Sequence, residues 1–596
     1  MRPEPGVSAS PTALSVTRSF SGRRWLFRQS DPDAVRAFER DAGISSALAQ
    51  LLIARSVAAD DIADYLNPTL KRLLPEPFIL PDMEKAVGRT AQAIAQGETI
   101  AIFGDYDVDG SCSAALLYEF LAPLGRTPLL YVPDRMREGY GPNAAALLHL
   151  REAGARLVVT VDCGAAAHEA LDAARDAGLD VIVLDHHAIE TAVCAYAHVN
   201  PNRPGDTSGL GHLCAAGVTF LFAVALNRQL RQSGWYARSG IAEPDLRTSL
   251  DLVGLATVCD VVPLTGINRA FVRAAEARLS RLDRPGIRAL AAIARAEAPF
   301  SLYHCGFVFG PRINAGGRVG RCSLGAELLT ARQDGDAAPL AQALDRHNRE
   351  RQAIEASIVE ESIGLAALQD KCSFLLVSAE GWHPGVVGIV AGRLKDRFHK
   401  PAFVVGFDGE SGRGSARSLP GIDIGAIVRA ARDEGLLDAG GGHAMAAGFS
   451  LAGKRLDEFR QWLASRFASL GSSGDAASEL WLDGLVAASG ATVEFASDIG
   501  RAGPFGAGNA EPVLATCDAR LAFADVVGHG HVRLRLQGGD GCTLSAIAFR
   551  AVGTPLGEAL LRARGERIHA AGFLRANRWN GRTEVQLQLE DAAAAA

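Results

Sequence analysis

Three carboxylates stand at alternate positions in the segment Gly104-Asp105-Tyr106-Asp107-Val108-Asp109-Gly110. Held close together they repel one another, and such a cluster is costly unless a cation neutralises it. The alternative for this segment is a solvated acidic turn or helix cap. An EF-hand does not fit, because no Glu stands at the calcium-loop offset. Asp162, between Val161 and Cys163-Gly164, reads equally well as a helix cap when taken alone. Leu184-Asp185-His186-His187 sets a carboxylate beside two imidazoles. Mixed oxygen and nitrogen donors suit Mn²⁺, Fe²⁺, Co²⁺ or Zn²⁺ better than Ca²⁺. A lone His pair is as often structural. Asp260 closes the apolar run Ala256-Thr257-Val258-Cys259 and by itself reads as a cap. Together the four segments are more specific than any one of them. They supply enough donors for two neighbouring divalent cations, which can activate a water, bridge a phosphate and stabilise a leaving oxygen. The chain has no P-loop and no G-x-S-x-G elbow. Metal-assisted hydrolysis is therefore preferred over ATP-driven or serine chemistry.

Such residues need a scaffold that gathers distant segments. The apolar runs Thr99–Phe103, Pro128–Val132, Arg156–Val161 and Val181–Leu184 alternate with stretches of helix length. That is the βαβ pattern of a parallel sheet. Ligands gather outside the carboxyl ends of such strands, where Asp105–Asp109, Asp162 and Asp185–His187 fall. A charged stretch from about Ala337 to Leu365, with the run Asp345-Arg346-His347-Asn348-Arg349-Glu350-Arg351, predicts a solvated helix bridging two domains. A second α/β unit begins near Cys372 with a strand at Ser373–Val377 and ends about Leu470. Gly471-Ser472-Ser473-Gly474-Asp475 reads as a linker. Beyond it, alternating runs such as Val532–Leu536 and Val585–Leu589 predict a small β-barrel. The terminal alanines read as a low-complexity tail.

The 596 residues suffice for about three to five domains. A net charge of −6 gives no global basic signature, so any nucleic-acid contact must rest on local positive charge. The ten cysteines form no CxxC pair, which points to a reducing compartment rather than a disulfide scaffold or zinc ribbon. Met1 to about Ser21 is rich in Ser and Pro and reads as a disordered lead-in without a signal-peptide core. The longest apolar stretch, Leu213 to Leu226, falls short of the ~20 residues a bilayer span needs, and predicts a buried helix. The expectation is a soluble, cytoplasmic protein with no membrane association.

The order Asp-x-Asp, Asp, Asp-His-His, Asp resembles the four motifs of the DHH phosphoesterase superfamily. Further segments are similar to its RecJ-type exonuclease family. They are Val132-Pro133-Asp134-Arg135 with Glu138-Gly139-Tyr140-Gly141, Gly310-Pro311-Arg312-Ile313-Asn314-Ala315-Gly316-Gly317-Arg318, Gly381-Trp382-His383-Pro384-Gly385-Val386-Val387-Gly388 and Gly414-Ser415-Ala416-Arg417-Ser418. Gly440–Gly448 resembles the glycine-rich signature of the DHH-associated domain, and Pro504-Phe505-Gly506-Ala507-Gly508-Asn509 a loop near the OB-fold. The resemblance implies two α/β lobes, a DHH parallel-sheet domain and a DHH-associated domain, joined by a long helix and followed by a C-terminal OB-fold barrel. The division would be a family-specific segment at 1–75, the catalytic domain at 76–335, the helix at 336–370, the second lobe at 371–470 and the barrel at 475–592.

By the same resemblance, Asp107 and Asp109 each bind one metal, Asp162 bridges both, and His186 and Asp260 complete the donor set of the second metal. Asp185 and His187 orient ligands or touch phosphate. Smaller superfamily members carry a metal-binding His where this chain has Phe103, so the first site recruits Asp105 or water, or holds its ion weakly. One or two Mn²⁺ or Mg²⁺ ions are implied.

Arg135, Asn314, Arg318, Ser415 and Arg417 are the candidate phosphate contacts, against the alternative of surface ion pairs. Gly440–Gly448 with His443 reads either as a phosphate-cradling loop or as a tight turn. Tyr140, Trp382, Phe505 and Trp579 are candidates for base stacking or for packing, Tyr140 foremost. Arg575, Arg578 and Arg582 flank Trp579 on the barrel, which suits DNA or a docked protein. The resemblance implies a monomeric 5′-to-3′ exonuclease specific for single-stranded DNA, releasing 5′ mononucleotides in recombination and repair, with a helicase and a single-strand-binding protein as partners. The alternatives are a phosphodiesterase for short oligonucleotides or cyclic dinucleotides, and a non-catalytic DNA-binding scaffold.

Overall fold

The structure is a computed structural model. It describes residues 12–125, 127–135, 137–369, 371–469, 479–528, 530–579 and 582–595, without the side chains of Arg578, Trp579 and Arg582. The linker expected at Gly471–Asp475 lies outside the described residues. The chain divides into two compact units, one of residues 76–260 and 274–475, the other of residues 1–75, 261–273 and 476–596.

The larger unit holds two sheets. The first is wholly parallel, with the strands ordered Leu129–Tyr131, Thr99–Gly104, Ala155–Val161, Asp180–Leu184 and Ala197–Val199. Its strands are almost continuously apolar because helices cover both faces. Helices Val108–Leu121, Ala144–Glu152 and His168–Asp176 follow the first, second and third strands in sequence, as the βαβ pattern requires. Phe103 is fully buried and stacks on Tyr131 at 5.2 Å, so this position fills the core. The apolar stretch expected as a buried helix is Ala215–Gln232, buried along most of its length.

The connecting helix runs from Asp334 to Ala367, about 50 Å at 1.5 Å per residue. It is less solvated than its charge suggests. Asp345 and Asn348 are buried, and Asp345 accepts a 3.0 Å hydrogen bond from Arg312 Nε, which compensates the charge.

The second sheet runs Ala439–His443, Ala446–Ala452, Ser411–Arg417, Ala402–Asp408 and Leu375–Glu380. Only its last pair is parallel. The glycine-rich segment is an antiparallel hairpin in this sheet, with Gly441 opposite Gly448, rather than a loop. Its glycines answer to close packing. A Cβ on Gly440 would lie 2.8 Å from Val428 Cγ1, and one on Gly442 would lie 2.4 Å from the Ala446 carbonyl oxygen.

The smaller unit is built on a closed barrel. Strands Leu514–Val527, His531–Gln537, Thr543–Ala548, Arg582–Ala594 and Arg567–Trp579 pair in that order, and the last returns to the first. Inward and outward residues alternate along His531–Gln537. Two expectations change here. The terminal alanines are not a tail: in the last strand Ala592 is buried in the barrel core, and Ala593 on the opposite face is buried against Ala13, Val16 and Trp25. The lead-in is placed from Thr12 onward, with Ala13 and Val16 buried and the Phe20 N–H donating to the Ala592 carbonyl at 2.8 Å. No helix among the described residues is long and apolar enough to cross a membrane.

Candidate metal centre and nucleic-acid cleft

Three neighbouring strands of the parallel sheet deliver the acidic motifs to one edge. The backbone N–H of Asp105 donates to Val161 O at 3.3 Å, that of Asp162 to Leu184 O at 3.0 Å, and that of Asp185 to Val199 O at 3.1 Å. Each motif thus extends the ladder by one step and lands beside the next. Asp162 takes a left-handed backbone conformation, with φ +61°, which turns the chain sharply at the strand end. Such conformations in non-glycine residues concentrate at functional sites. Asp260 arrives separately, as the residue closing helix Leu250–Cys259.

These residues meet around one atom. His186 Nε2 lies 3.4 Å from Asp162 Oδ1, 3.6 Å from Asp260 Oδ2 and 3.7 Å from Asp109 Oδ2. It is buried and has no hydrogen-bond partner among the described residues. Three sets of potential ligands result, Asp109 with His186 and Asp260, Asp162 with His186 and His187, and Asp105 with Asp107 and Asp162, and within each the ligand atoms lie within 4.8 Å of one another. Asp105 Oδ1 is likewise buried and unpartnered. Orphaned buried donors of this kind fit divalent cations, with Asp162 and His186 each shared between two of the three sets.

The surroundings hold the donors in place. Asp109 accepts from Ala215 N at 2.6 Å and Ala216 N at 2.8 Å, at the N-terminus of the buried helix. Asp107 caps its own helix through Gly110 N at 3.0 Å. A Cβ on Gly110 would meet the Asp105 carbonyl oxygen at 2.5 Å, so the turn needs glycine. Asp185 accepts from Ala165 N, His186 N, His187 N and His187 Nδ1. Asn202 donates to His186 O at 2.7 Å and Asn200 to His187 O at 2.9 Å. Asn200 and Asn202 escaped the sequence reading, because an asparagine after a short strand is ordinarily a turn residue.

Charge is concentrated here. Burial, then Asp107, raises Asp109 to about 7. Burial, then Asp109 and Asp107, raises Asp260 to about 8. Burial and then the neighbouring carboxylates push Asp105 and Asp162 well above the usual range. Burial would raise Asp185 too, but His187 beside it holds it at about 2. Burial would lower His187, but the bond to Asp185 lifts it to about 9. Burial and the His187 charge keep His186 neutral, at about 4, which is the ligating form of imidazole.

Beside the cluster lies a cleft of about 510 Å³. Asp105, Asp107, Asp162, His187 and Asp260 line one side, and Arg413, Ser415 and Arg417 of the second sheet line the other, with Arg135 and Arg318. None of these four arginines forms an ion pair among the described residues. Arg318 donates to Gly385 O at 3.0 Å and is lowered to about 10 by burial and then by Arg135. Arg417 donates to Ser415 Oγ at 2.9 Å, and burial lowers it. A Cβ on Gly388, in the first turn of helix Val387–Phe398, would lie 3.0 Å from both groups. The helix N-terminus, the hydroxyl and the guanidinium are all groups that can donate to an anion. Arg413 was missed by the sequence reading, although two-residue periodicity puts Arg413, Ser415 and Arg417 on one face of their strand.

Among the other candidates, only Tyr140 reaches the cleft among the described side chains. Tyr140 lines the cleft, is 55% exposed and donates to Asp162 O at 3.0 Å. Asn314 is turned inward: its Oδ1 accepts from Val108 N at 3.1 Å and braces the acidic helix. His443 lies on the hairpin and does not line the cleft. Trp382 is buried, with Nε1 donating to Glu361 at 2.8 Å. Phe505 packs into the apolar cluster of Val35, Leu48 and Ile62. Arg575 pairs with Glu511. The side chains of Arg578, Trp579 and Arg582 lie outside the described ones.

Comparison with known proteins agrees with this layout. The DHH family N-terminal domain matches residues 99–252, the DHHA1 domain residues 372–469 and the RecJ OB domain residues 482–591. The single-stranded-DNA-specific exonuclease RecJ of Dickeya dadantii is 37% identical, over 88% of this chain and 92% of its own length. Its Escherichia coli counterpart is 35% identical, over 82% of this chain and 86% of its own. The crystal structure of RecJ in complex with Mn²⁺ from Thermus thermophilus superposes with a TM-score of 0.79 at 28% identity, covering 95% of this chain and 78% of that one. With the three domains in this order and such relatives matched over most of their length, the chain belongs to the RecJ exonuclease family.

Proposed function

We propose that this protein is an exonuclease specific for single-stranded DNA, working 5′ to 3′ and releasing 5′ mononucleotides. The carrying observation is the convergence of Asp109, Asp162 and Asp260 on the unpartnered His186 Nε2, at the wall of an arginine-lined cleft. Asp109, Asp162, His186 and Asp260 would hold one Mn²⁺ or Mg²⁺, and Asp105, Asp107 and Asp162 a second. Ions bound there supply Lewis acidity to a phosphate oxygen and lower the pKa of water. Asp105 takes the place that Phe103 leaves without a donor.

The chain's own residues do the rest. Arg318, Ser415 and Arg417 grip the terminal 5′ phosphate, and the fixed span from that pocket to the acidic cluster sets a one-nucleotide product. Arg135 and Arg413 neutralise phosphates along the cleft. His187, held through Nδ1 by Asp185, presents Nε2 to the cleft as a donor to a phosphate oxygen. Tyr140 stacks on a base beside the cut. The passage between the two sheets excludes a duplex. In the cell the protein would act as a monomer in the cytoplasm, in recombination and repair, on strands supplied by a helicase and shared with a single-strand-binding protein.

Digestion of end-labelled single-stranded DNA with Mn²⁺, and again with a chelator, tests this reading. Mononucleotides should be released from the 5′ end with the metal and none without it. Internal cuts, or activity that survives chelation, would overturn it.

A further inference from the structure

Away from the cleft, two aromatic rings stand in solvent as a pair. Tyr303 is 62% and Phe307 71% exposed, the most exposed aromatic side chains among the described residues. Their centroids are 5.2 Å apart and their planes 26° from parallel. Exposed apolar surface of this kind is costly unless it has an occupant. The pair occupies consecutive turns where the chain enters a π-helical segment, Cys305–Phe309. Such segments recur at functional sites.

The position of this segment argues for what covers it. It packs on the end of the helix that presents Asp260. The Cys259 thiol donates to Cys305 O at 3.4 Å, and a Cβ on Gly310 would meet Cys259 Sγ at 2.5 Å. The same segment continues into helix Gly310–Val319, which carries Arg318 into the cleft. One continuous element therefore runs from the exposed rings, past Asp260, to the guanidinium assigned to the 5′ phosphate.

We infer that Tyr303 and Phe307 form a base-stacking platform for the part of the strand that lies 3′ of the cut. This rests on the nuclease reading for its direction. A flat, sequence-tolerant π surface is what an enzyme needs to hold any base as the strand advances. The rise from Phe307 to Arg318 is roughly 15 Å, and at about 3.4 Å per stacked nucleotide the platform meets roughly the fourth or fifth base. Both side chains are binding residues, remote from the reacting phosphate.

The test uses the full chain and a 5′-phosphorylated strand with 2-aminopurine at successive positions, in chelator so that nothing is cut. Quenching should peak near the fourth or fifth base and be lost in the Tyr303→Ala/Phe307→Ala variant, but persist in Tyr303→Phe. Unchanged quenching in the double variant would overturn the platform. With Mn²⁺, the double variant should raise KM for a long strand by roughly tenfold while kcat and cleavage of a dinucleotide hold. Equal loss on both substrates would also overturn it. If the platform quenches but wild-type protein cuts neither substrate, the nuclease reading fails and the platform stands.

Discussion

Asp162→Asn is the substitution that most sharply tests the metal centre. Asparagine keeps the shape and tolerates the left-handed backbone found at φ +61°, so the fold should survive. What changes is one negative charge, in the carboxylate that two of the converging sets of donors share. A unit charge pair about 4 Å apart is worth about 4 kcal/mol at an effective dielectric constant near 20. That corresponds to a loss of roughly a thousandfold in divalent-ion affinity. Titration calorimetry with Mn²⁺ measures this, and single-turnover digestion of single-stranded DNA follows the consequence for hydrolysis, which should be abolished while DNA binding persists. The same substitution has a second signature. Burial and four neighbouring carboxylates raise Asp162, so its ionised form weighs against the folded state in the absence of metal. Metal-free Asp162→Asn should therefore melt higher than the metal-free wild type, while the rise in Tm on adding Mn²⁺ disappears. Were Asp162 only a cap, the substitution would lower Tm and leave Mn²⁺ affinity within a few-fold of wild type. That pair of results would refute the assignment.

Asp109 and Asp260 bind protons more tightly when folded, at about 7 and about 8, than the usual carboxylate near 3.9. Their contribution to metal-free stability is thus full below about pH 4 and is lost as pH rises through 8. The Mn²⁺-induced rise in Tm should be larger at pH 8.5 than at pH 5.5, and a flat or inverted trend in thermal melts would count against the carboxylate cluster. Arg417→Ala should reduce the preference for a 5′-phosphorylated over a 5′-hydroxyl strand by roughly 10–100-fold, since a hydrogen bond to a charged group contributes about 1.5–3 kcal/mol. Competition between the two strands measures it, and equal loss on both ends would remove Arg417 from the terminal-phosphate pocket. His443→Ala should leave KM for single-stranded DNA within about twofold, because His443 does not line the cleft. A larger rise would show that the hairpin reaches the strand after all.

The acidic motifs and their convergence were legible because they lie at strand ends. A parallel sheet buried on both faces writes itself as apolar runs, and its carboxyl edge is where the next residues must lie. Asp105, Asp162 and Asp185 each follow such a run. The supporting residues were not legible, because their roles depend on register and packing between distant segments. Nothing local distinguishes Asn314, which braces the Val108 amide, from an asparagine facing a phosphate. The glycine-rich segment read equally as a loop or a tight turn; it is a hairpin closed by a tight turn at Ala444 and Met445, and its glycines let two strands and a helix approach closely.

The nucleic-acid surface shows why composition is a poor guide to binding. The whole chain is acidic, at −6, yet four arginines converge on one cleft without carboxylate partners among the described residues. Elsewhere some buried or half-buried arginines are neutralised by acids, as Arg284 is by Asp251 and Glu119, and Arg312 by Asp345, while buried Arg269 is held by three backbone carbonyls. Leaving Arg318 and Arg417 unpaired, with their charged forms disfavoured by burial, costs stability in the free protein. In a cleft open to solvent, an arriving anion would offset that cost. The facing carboxylates cannot serve, because their charge is what draws the cations. A phosphate chain laid between the two arrays would satisfy both, its oxygens meeting the guanidinium groups on one side and any cations held by the carboxylates on the other.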